Sequence, residues 1–436
     1  MKRVTNPIIL LLAVALVATA LVSSCSRPEA GPIDRKILVV GIDGMEWDIM
    51  GPMIEQGRLP TFERIISEGA WGELRSLDVL ESPIIWTSIA TGKVPEKHGI
   101  TGFAKQRSGG GQMVPMTSNV RRVRTVWDIL GEDGISVGVV GWLATWPAEP
   151  VNGYLVTDYF NYGWDPGREG ESGKLSFPPA LATDLESLRV LADDVPDERA
   201  AEFIKGDVPE TGELRKRLDA LKTCIASDET GRAVALRMAE RMPMDFFAVY
   251  LKGVDGVCHL YWVDMLPDSG PPTSEEEREM FGEVIPRYYE EMDAVLAGFL
   301  DLADESTTVV LTSDHGHSGP KPAGDGYEWG IAMHDPTGVF ALWGKDIAQG
   351  VKLSDVSVLD ITPTILALMG KPVAGDMDGR VLTEAIEQDF LRAHPVTEVE
   401  TYETGDAREG SSDDEPIESP IDDEVREQLR ALGYID

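Results

Sequence analysis

A chain of 436 residues can form one large α/β domain with insertions or two domains, and its apolar content of 42% and charged content of 26% are ordinary for a globular protein. Its charge is not ordinary, because 75 acidic residues against 39 basic residues give a net charge of −36. Such a surface repels nucleic-acid backbones and anionic lipid headgroups, so we expect no nucleic-acid binding. An anionic ligand would need local positive charge, for which a bound metal ion is the obvious source.

The first 25 residues have the pattern of an export signal. An apolar run from Ile8 to Val22 follows a basic start, and its length of about 15 residues is below the roughly 20 that a membrane span needs. The small residues before Cys25 resemble a bacterial lipobox, which implies that residues 1–25 are a lipoprotein signal and that Cys25 carries a lipid. The protein is then exported and bound to the membrane by this anchor alone, and Ser26 favours the outer membrane, facing the periplasm or cell surface. The alternative is an ordinary signal peptide that is cleaved near Ser24.

The elements that follow alternate between strands and helices. Residues 26–35 are expected to be a tether, and the apolar run at 36–42 predicts a strand that is buried on both faces. Further strands are expected at 135–142, 246–252, 307–313 and 339–343, and helices at 61–69, 82–91, 123–130 and 360–369. This alternation predicts an α/β fold with an open, mostly parallel sheet that is covered by helices on both faces.

Two stretches depart from this alternation. Residues 151–242 are more polar and predict an inserted cap, with helices around 178–192 and 211–242. Residues 396–423 are acidic and rich in Ser, Pro and Glu, so we expect them to be disordered, with a helical segment at 424–436.

An aspartate follows each of three predicted buried strands, directly or within a few residues. These aspartates are Asp43, Asp255 and Asp314. An aspartate in this position more commonly caps a turn or the next helix. Because ligands of open α/β sheets bind at the carboxyl ends of the strands, however, all three carboxylates are expected to meet at one edge of the sheet.

The histidines strengthen this interpretation. Only six occur in the chain, and two of them closely follow these aspartates, as Asp255-x-x-x-His259 and Asp314-His315. A third, His334, comes shortly before another predicted strand. Clustered carboxylate and imidazole ligands suit a divalent metal ion, most readily zinc, with manganese as the alternative.

Four motifs in this order resemble the type I phosphodiesterase/nucleotide pyrophosphatase branch of the alkaline phosphatase superfamily: IDG around Asp43, D-x-x-x-H at 255–259, SDHG at 313–316 and H-x-x-x-G at 334–338. The resemblance covers roughly residues 36–383, so we expect an alkaline phosphatase-like domain over residues 36–390. It implies two zinc ions. The implied ligands are Asp255, His259 and His334 for the first ion, and Asp43, Asp314, His315 and the nucleophile for the second.

The stretch 81–92 offers several hydroxyl groups as the nucleophile, and two arguments favour Ser82. Pro83 suits the first position of a helix, which makes Ser82 the N-cap, where the helix dipole stabilises an alkoxide and an incoming phosphate. The resemblance implies a Thr or Ser nine residues before a Thr-Gly pair, and Ser82 has this spacing to Thr91-Gly92. The alternative is that Ser82 only caps the helix. His98 is implied to be structural.

The expected activity is hydrolysis of phosphodiester or pyrophosphate bonds in a small anionic substrate through a phosphorylated Ser82. No Arg or Lys lies between Ser82 and Gly92, which favours a monoanionic ester over a monoester dianion. An Asn that contacts phosphate in nucleotide pyrophosphatases is replaced here by Phe103, and Lys252 is a candidate substitute for it.

Several alternatives stay open. A phosphonate hydrolase, a phosphomonoesterase, a phospho-headgroup transferase and a catalytically silent, metal-stabilised surface lipoprotein all fit this sequence. A sulfatase does not, because the stretch from Ser82 lacks the Ser-x-Pro-x-Arg motif. His317 either supports the ligands or has no role in the site, and Cys224 and Cys258 either form a disulfide or are buried free thiols.

Overall fold

The computed structural model describes residues 33–106, 112–162, 172–319, 322–323, 326–327, 333–403 and 415–431. The export signal, Cys25 and most of the predicted tether lie outside the described residues. The strands are β1 (Lys36–Ile42), β2 (Ala70–Arg75), β3 (Ala104–Gln106), β4 (Met113–Pro115), β5 (Val137–Val140), β6 (Gly153–Val156), β7 (Ser176–Phe177), β8 (Phe246–Leu251), β9 (Thr307–Thr312), β10 (Gly316–Ser318), β11 (Pro322–Ala323), β12 (Gly326–Tyr327), β13 (Met333–Asp335), β14 (Thr337–Gly344), β15 (Val351–Lys352), β16 (Val356–Ser357), β17 (Val373–Ala374) and β18 (Glu398–Val399).

The helices surround this framework of strands. They are α1 (Trp47–Glu55), α2 (Pro60–Glu68), α3 (Ser82–Thr91), α4 (Pro95–His98), α5 (Val126–Glu132), α6 (Ser172–Leu175), α7 (Ala180–Leu185), α8 (Asp197–Ala201), α9 (Gly212–Arg241), α10 (Gly253–Met265), α11 (Glu275–Phe281), α12 (Val284–Leu300), α13 (Ile361–Leu368), α14 (Gln388–Ala393) and α15 (Asp422–Ala431). Among the described residues, no helix combines the length and the apolar character that crossing a membrane requires.

One large sheet organises the fold, with the strand order β15-β2-β14-β9-β1-β8-β5-β6-β7 and β16 paired to β2. The five neighbours β9, β1, β8, β5 and β6 are all parallel, whereas β14 runs antiparallel to both β9 and β2. β1 is central, since it pairs with β8 on one side and β9 on the other. The predicted α/β fold with a mostly parallel sheet is therefore confirmed.

The apolar side chains of β1 pack into two hydrophobic cores, one on each face of the sheet. Leu38 and Val40 belong to one hydrophobic cluster, and Ile37 and Val39 belong to the other. This alternation follows from the period of two in a strand, which sends successive side chains to opposite faces. A sheet that is covered on both faces needs such continuous apolar strands, and helices supply the opposing surface of each core.

The predicted cap at 151–242 is only partly separate from this sheet. Its first portion contains β6 and β7, which extend the sheet at one edge. Its last portion is α9, whose buried residues Leu221 and Ile225 share a hydrophobic cluster with Val249 of β8. The polar composition of this stretch reflects the exposed face of a long amphipathic helix, which packs on the sheet through its apolar face.

The structure describes residues 396–403 and 415–423 of the acidic segment, and these residues make defined contacts, whereas the disorder expected for the segment as a whole stays a prediction. β18 pairs with β17. Glu403 lies at the end of the described residues 396–403. It accepts a hydrogen bond from the buried ammonium of Lys93 at 3.1 Å, and Asp376 accepts another from the same ammonium at 2.8 Å. A buried ammonium requires such partners, and composition alone does not reveal them. Residues 404–414 and the last five residues of the predicted C-terminal helical segment lie outside the described residues.

We predict that Glu403→Gln destabilises the protein by about 2 kcal/mol, because it leaves the buried Lys93 ammonium with a single carboxylate partner. Urea denaturation followed by circular dichroism measures the change. Glu400→Gln is the matched control, because Glu400 is exposed and its substitution removes the same charge from the same segment. Equal effects of the two substitutions would show that the ion pair does not fix this segment.

Candidate metal centre and active site

The three strand-end aspartates meet at one edge of the sheet. Asp43 directly follows β1, Asp255 lies in the first turn of α10 after β8, and Asp314 lies two residues after β9. Their relative exposures are 2%, 5% and 0%, so all three carboxylates are buried. Because β1, β8 and β9 are adjacent and parallel, their carboxyl ends meet at this edge, as the sequence predicted.

In the carboxylates of Asp43 and Asp314, one oxygen accepts hydrogen bonds and the other has no hydrogen-bond partner among the described residues. Trp86 Nε1 and the Tyr250 hydroxyl donate to Asp43 Oδ2, and the backbone N–H of Gly44 donates to Asp314 Oδ1. Asp43 Oδ1 and Asp314 Oδ2 are buried and have no hydrogen-bond partner among the described residues. A buried carboxylate oxygen without a partner is costly, and coordination to a cation would remove that cost.

Three histidine rings are oriented by their Nδ1 atoms, which lie within hydrogen-bond distance of backbone carbonyl oxygens. A carbonyl oxygen can only accept, so Nδ1 carries the proton and Nε2 of the neutral ring keeps its lone pair. Histidines that bind metals usually have this arrangement, in which the second ring nitrogen donates to the protein. The Nδ1–oxygen pairs are His315 with Gly316 (3.0 Å), His317 with Gly44 (3.1 Å) and His334 with Leu80 (2.7 Å).

A first group of possible ligands surrounds Asp255. Its Oδ1 lies 3.2 Å from Nε2 of His259, 3.1 Å from Nε2 of His317 and 3.5 Å from Nε2 of His334. Nε2 of His259 lies 2.9 Å from Nε2 of His334, and one potential ligand atom from each of the four residues lies within 4.8 Å of the others. A divalent cation suits this convergence of carboxylate and imidazole atoms.

A second group lies beside the first. Nε2 of His315 lies 3.5 Å from Asp43 Oδ1 and 3.3 Å from Asp314 Oδ2. Asp43, Asp255 and His315 form a set with ligand atoms within 4.8 Å of one another, so Asp255 belongs to both groups. The structure thus brings together all six ligand residues that the sequence predicted.

The electrostatics of this edge favour a cation. Burial raises the pKa of Asp43 well above its usual range, and the charges of Asp314 and Asp255 add to the effect. Burial also raises the pKa of Asp314 to about 6. Burial lowers the pKa of His317 to about 4 and that of His315 far below its usual value, so both rings are neutral at pH 7. Burial opposes the charge of His334, but its interactions with Asp255 raise the pKa of that ring, so this edge attracts positive charge. The neutral His315 and His317 rings leave the other buried carboxylates unbalanced, and divalent ions would balance them.

Ser82 lies next to the second group, with Oγ 3.4 Å from Nε2 of His315. Its predicted role as N-cap is wrong by one position: Glu81 is the N-cap, and α3 begins at Ser82 itself. The carbonyl of Glu81 accepts from the N–H of Ile84 at 2.9 Å. Ser82 nevertheless occupies the first turn, where the positive end of the helix dipole lies.

The other hydroxyls of this helix have structural partners. Thr87 donates to the carbonyl of Pro83, one turn earlier in α3, at 2.7 Å. Ser88 Oγ lies 3.0 Å from Nε2 of His98, whose Nδ1 accepts from the N–H of Ile100. Burial lowers the pKa of His98 to about 3, so this ring is neutral. These contacts agree with a structural His98 and leave Ser82 as the hydroxyl of α3 at the metal edge.

Lys252, Phe103 and Ser82 line the same cavity. The Lys252 ammonium lies 4.7 Å from the centre of the Tyr162 ring. Burial opposes its charge, but interactions with Tyr162 and nearby acidic groups outweigh burial and raise the pKa of Lys252. Lys252, the candidate phosphate contact, is therefore cationic and lies in the same cavity as Ser82.

The structure places three residues whose roles the sequence left open. His317 is next to Asp255 and is paired with His334 across β10 and β13. His315 directly precedes β10, and His317 lies within it, so the pairing of β10 with β13 is what places His317 in the first group. Cys224 and Cys258 are buried free thiols.

The model of one protein family, type I phosphodiesterase/nucleotide pyrophosphatase, matches residues 37–326. A comparison with curated protein sequences found no match. Solved structures that match include human ectonucleotide pyrophosphatase/phosphodiesterase 5, with 11% identity over 80% of this chain and 98% of that chain and a TM-score of 0.48. A mutant form of the alkaline phosphatase PafA matches with 16% identity over 81% of this chain and 99% of that chain and a TM-score of 0.47.

Phosphonoacetate hydrolase from Sinorhizobium meliloti, in complex with phosphonoformate, matches with 20% identity and a TM-score of 0.40. The match covers 67% of this chain and 59% of the hydrolase, so this chain spans less than two thirds of that relative. The family model covers well over half of the 436 residues and includes Asp43, Ser82, Asp255 and Asp314. The chain therefore belongs to the type I phosphodiesterase/nucleotide pyrophosphatase family.

Proposed function

We propose that this protein hydrolyses phosphodiester or pyrophosphate bonds at a two-metal centre, with Ser82 as the nucleophile. The observation that carries the proposal is the position of Ser82 Oγ, 3.4 Å from His315 Nε2 and directly beside two groups of buried ligands. A hydroxyl in that position can contact the same cation as the imidazole. The family to which the chain belongs supports a metal-dependent hydrolase of phosphoryl esters.

The residues divide between two ions. Asp255, His259 and His334, with His317 adjacent, would bind the first ion. Asp43, Asp314, His315 and Ser82 would bind the second. Three carboxylates and one alkoxide carry about four negative charges, which two divalent ions balance. Carboxylate and imidazole ligands favour zinc, with manganese as the alternative.

When bound, the two ions would supply the positive charge that lowers the pKa of the Ser82 hydroxyl and stabilises the phosphoryl oxygens. Ser82 Oγ gives its proton to solvent water and forms a bond to phosphorus, while the bond from phosphorus to the leaving oxygen breaks and the leaving oxygen takes up a proton from water. A water oxygen then bonds to phosphorus as the bond between Oγ and phosphorus breaks, and one proton of that water restores the Ser82 hydroxyl. The dipole at the N-terminus of α3 stabilises the negative charge on Oγ and on the phosphoryl group.

The charge around Ser82 favours a monoanionic ester. Lys93 is the basic residue nearest to α3 in sequence, but its ammonium is buried in ion pairs with Asp376 and Glu403. Lys252 lines the cavity, where its ammonium lies 4.7 Å from the centre of the Tyr162 ring and the nearby charge of Asp228 helps to keep it protonated. One ammonium and two balanced ions suit a single substrate charge, whereas a monoester dianion would need more positive charge.

We further propose that the chain is exported and attached to the outer membrane through a lipid on Cys25. The support is the lipobox-like sequence before Cys25, together with the apolar run that precedes it. A lipid anchor would place the enzyme at the membrane surface while the domain itself remains in aqueous solution.

We expect two divalent ions per chain in the purified protein, measured by inductively coupled plasma mass spectrometry. His259→Ala should lower the content towards one ion, because it removes a ligand of the first group only. Asp314→Asn should likewise lower the metal content towards one ion per chain, because it removes a ligand of the second group. His394→Ala is the control, since His394 lies outside both groups. One ion or none in the folded wild-type protein would contradict the two-metal centre.

We expect Ser82→Ala to lower kcat for bis(p-nitrophenyl) phosphate at least a thousandfold while both ions remain bound. The cost in stability should be about 1 kcal/mol, because the change removes one buried hydroxyl and its hydrogen bond with His315. Thr87→Ala is the control within the same helix, and it should retain most of the activity because Thr87 donates to a backbone carbonyl. A phosphoryl group trapped on Thr87 would overturn the assignment of Ser82.

We expect Cys25→Ala to move the full-length protein from the membrane fraction to the soluble fraction, or to leave it as an uncleaved precursor, when it is expressed in a bacterium. Ser26→Ala should remain in the membrane fraction, because it keeps the modified cysteine. Fractionation and incorporation of labelled palmitate measure the outcome. A soluble wild-type protein that carries no label would rule out the lipid anchor.

A further inference from the structure

An apolar cavity of about 190 Å³ lies beside the nucleophile. Ser82 and Asp43 contribute to its lining, so the cavity is continuous with the metal edge. Most of the remaining lining is apolar. It includes Pro83, Phe103, Met116, Leu143 and Leu260. Such walls favour an apolar group, because each Å² of apolar surface removed from water stabilises the complex by about 25 cal/mol.

The enclosed part of the cavity is comparable in volume to a protein cavity of about 150 Å³ that holds benzene, and the cavity opens to solvent beyond it. The polar carboxylate of Asp158, which also lines the cavity, already accepts from the backbone N–H groups of Ala144 (3.0 Å) and Trp146 (3.1 Å). The apolar part of the lining therefore suits one aromatic ring or a short alkyl chain.

The C-terminal helix forms part of the wall. Val425 of α15 lines the cavity, and Ile421 and Val425 are buried in the main hydrophobic cluster. Three hydrogen bonds attach the C-terminal segment to residues 113–119, which contribute Pro115 and Met116 to the same cavity. The donor–acceptor pairs are Asn119 Nδ2 with Glu415 O (2.9 Å), Ile417 N with Thr117 Oγ1 (3.1 Å) and Arg426 Nη1 with Met113 O (3.1 Å).

We propose that this cavity receives the apolar substituent that stays on phosphorus during the first step, and that Val425 limits the size of that substituent. The proposal rests on the proposed function. In an in-line displacement, the leaving oxygen lies on the side of phosphorus opposite Ser82 Oγ. This cavity is bordered by Ser82, so it receives the retained substituent and not the leaving group. The substrate class is an aryl or short-chain alkyl phosphodiester, and the C-terminal helix is its specificity-determining wall.

The kinetic test uses p-nitrophenyl phosphodiesters whose second substituent is methyl, butyl, phenyl or thymidine, with the full-length protein. Wild-type kcat/KM should be at least tenfold higher for the phenyl ester than for the methyl or thymidine ester. Val425→Trp should lower kcat/KM for the phenyl ester at least tenfold and change that for the methyl ester less than threefold. Glu427→Ala is the matched control, because Glu427 lies on the exposed face of α15.

A binding experiment separates this inference from the proposed function. Isothermal titration with phenylphosphonate and methylphosphonate, which keep their C–P bonds, needs no turnover. Val425→Trp should weaken the binding of phenylphosphonate at least tenfold and that of methylphosphonate less than threefold. If no ester is hydrolysed but this difference holds, the proposed function fails and the cavity assignment stands.

Three results would overturn the cavity assignment: equal effects of Val425→Trp on the phenyl and methyl compounds, a preference for the thymidine ester, or effects of Glu427→Ala as large as those of Val425→Trp. If Val425→Trp does not fold, Val425→Ala replaces it. Val425→Ala should raise the ratio of butyl to methyl kcat/KM at least threefold, because it enlarges the cavity. An unchanged ratio would contradict the proposal.

Discussion

Hydrogen bonds from imidazole Nδ1 atoms to backbone carbonyl oxygens determine the candidate metal centre. They fix the protonated nitrogen of His315, His317 and His334 and direct each Nε2 towards a buried carboxylate. One of the carbonyls belongs to Gly44, in the turn that follows the central strand β1. The orientation of His317 therefore depends on the path of the backbone at the end of the sheet, and the fold and the site are coupled at this turn.

Gly44 shows how closely this turn is fitted to the site. Its φ of +70° lies in the left-handed region, and a Cβ there would lie 2.4 Å from Cε1 of His317 and 3.1 Å from Cβ of Asp255. A side chain would therefore strain the backbone and displace two residues of the first ligand group. The IDG motif of the sequence thus combines a candidate ligand, Asp43, with the glycine that allows the other candidate ligands to approach it.

The sequence predicted those parts of the fold and site that depend on local patterns. Continuous apolar strands followed by aspartates were enough to place Asp43, Asp255 and Asp314 at one edge, since parallel strands bring their carboxyl ends together. The position of His317 required the pairing of β10 with β13, which no local pattern specifies. The order in the C-terminal segment depends on contacts such as Asn119 with Glu415, between residues that are distant in the chain.

The contrast between Lys93 and Lys252 bears on the proposed preference of this strongly acidic chain for a singly charged ligand. Both ammonium groups lie in the interior, but Lys93 is neutralised by Asp376 and Glu403, whereas Lys252 lies over the Tyr162 ring in the cavity beside Ser82. A net charge of −36 repels anions from the surface, so affinity must arise within a few ångströms of the reacting group. If the proposed cavity receives the retained substituent, its apolar walls would make the shape of that substituent a basis for distinguishing substrates in addition to their charge.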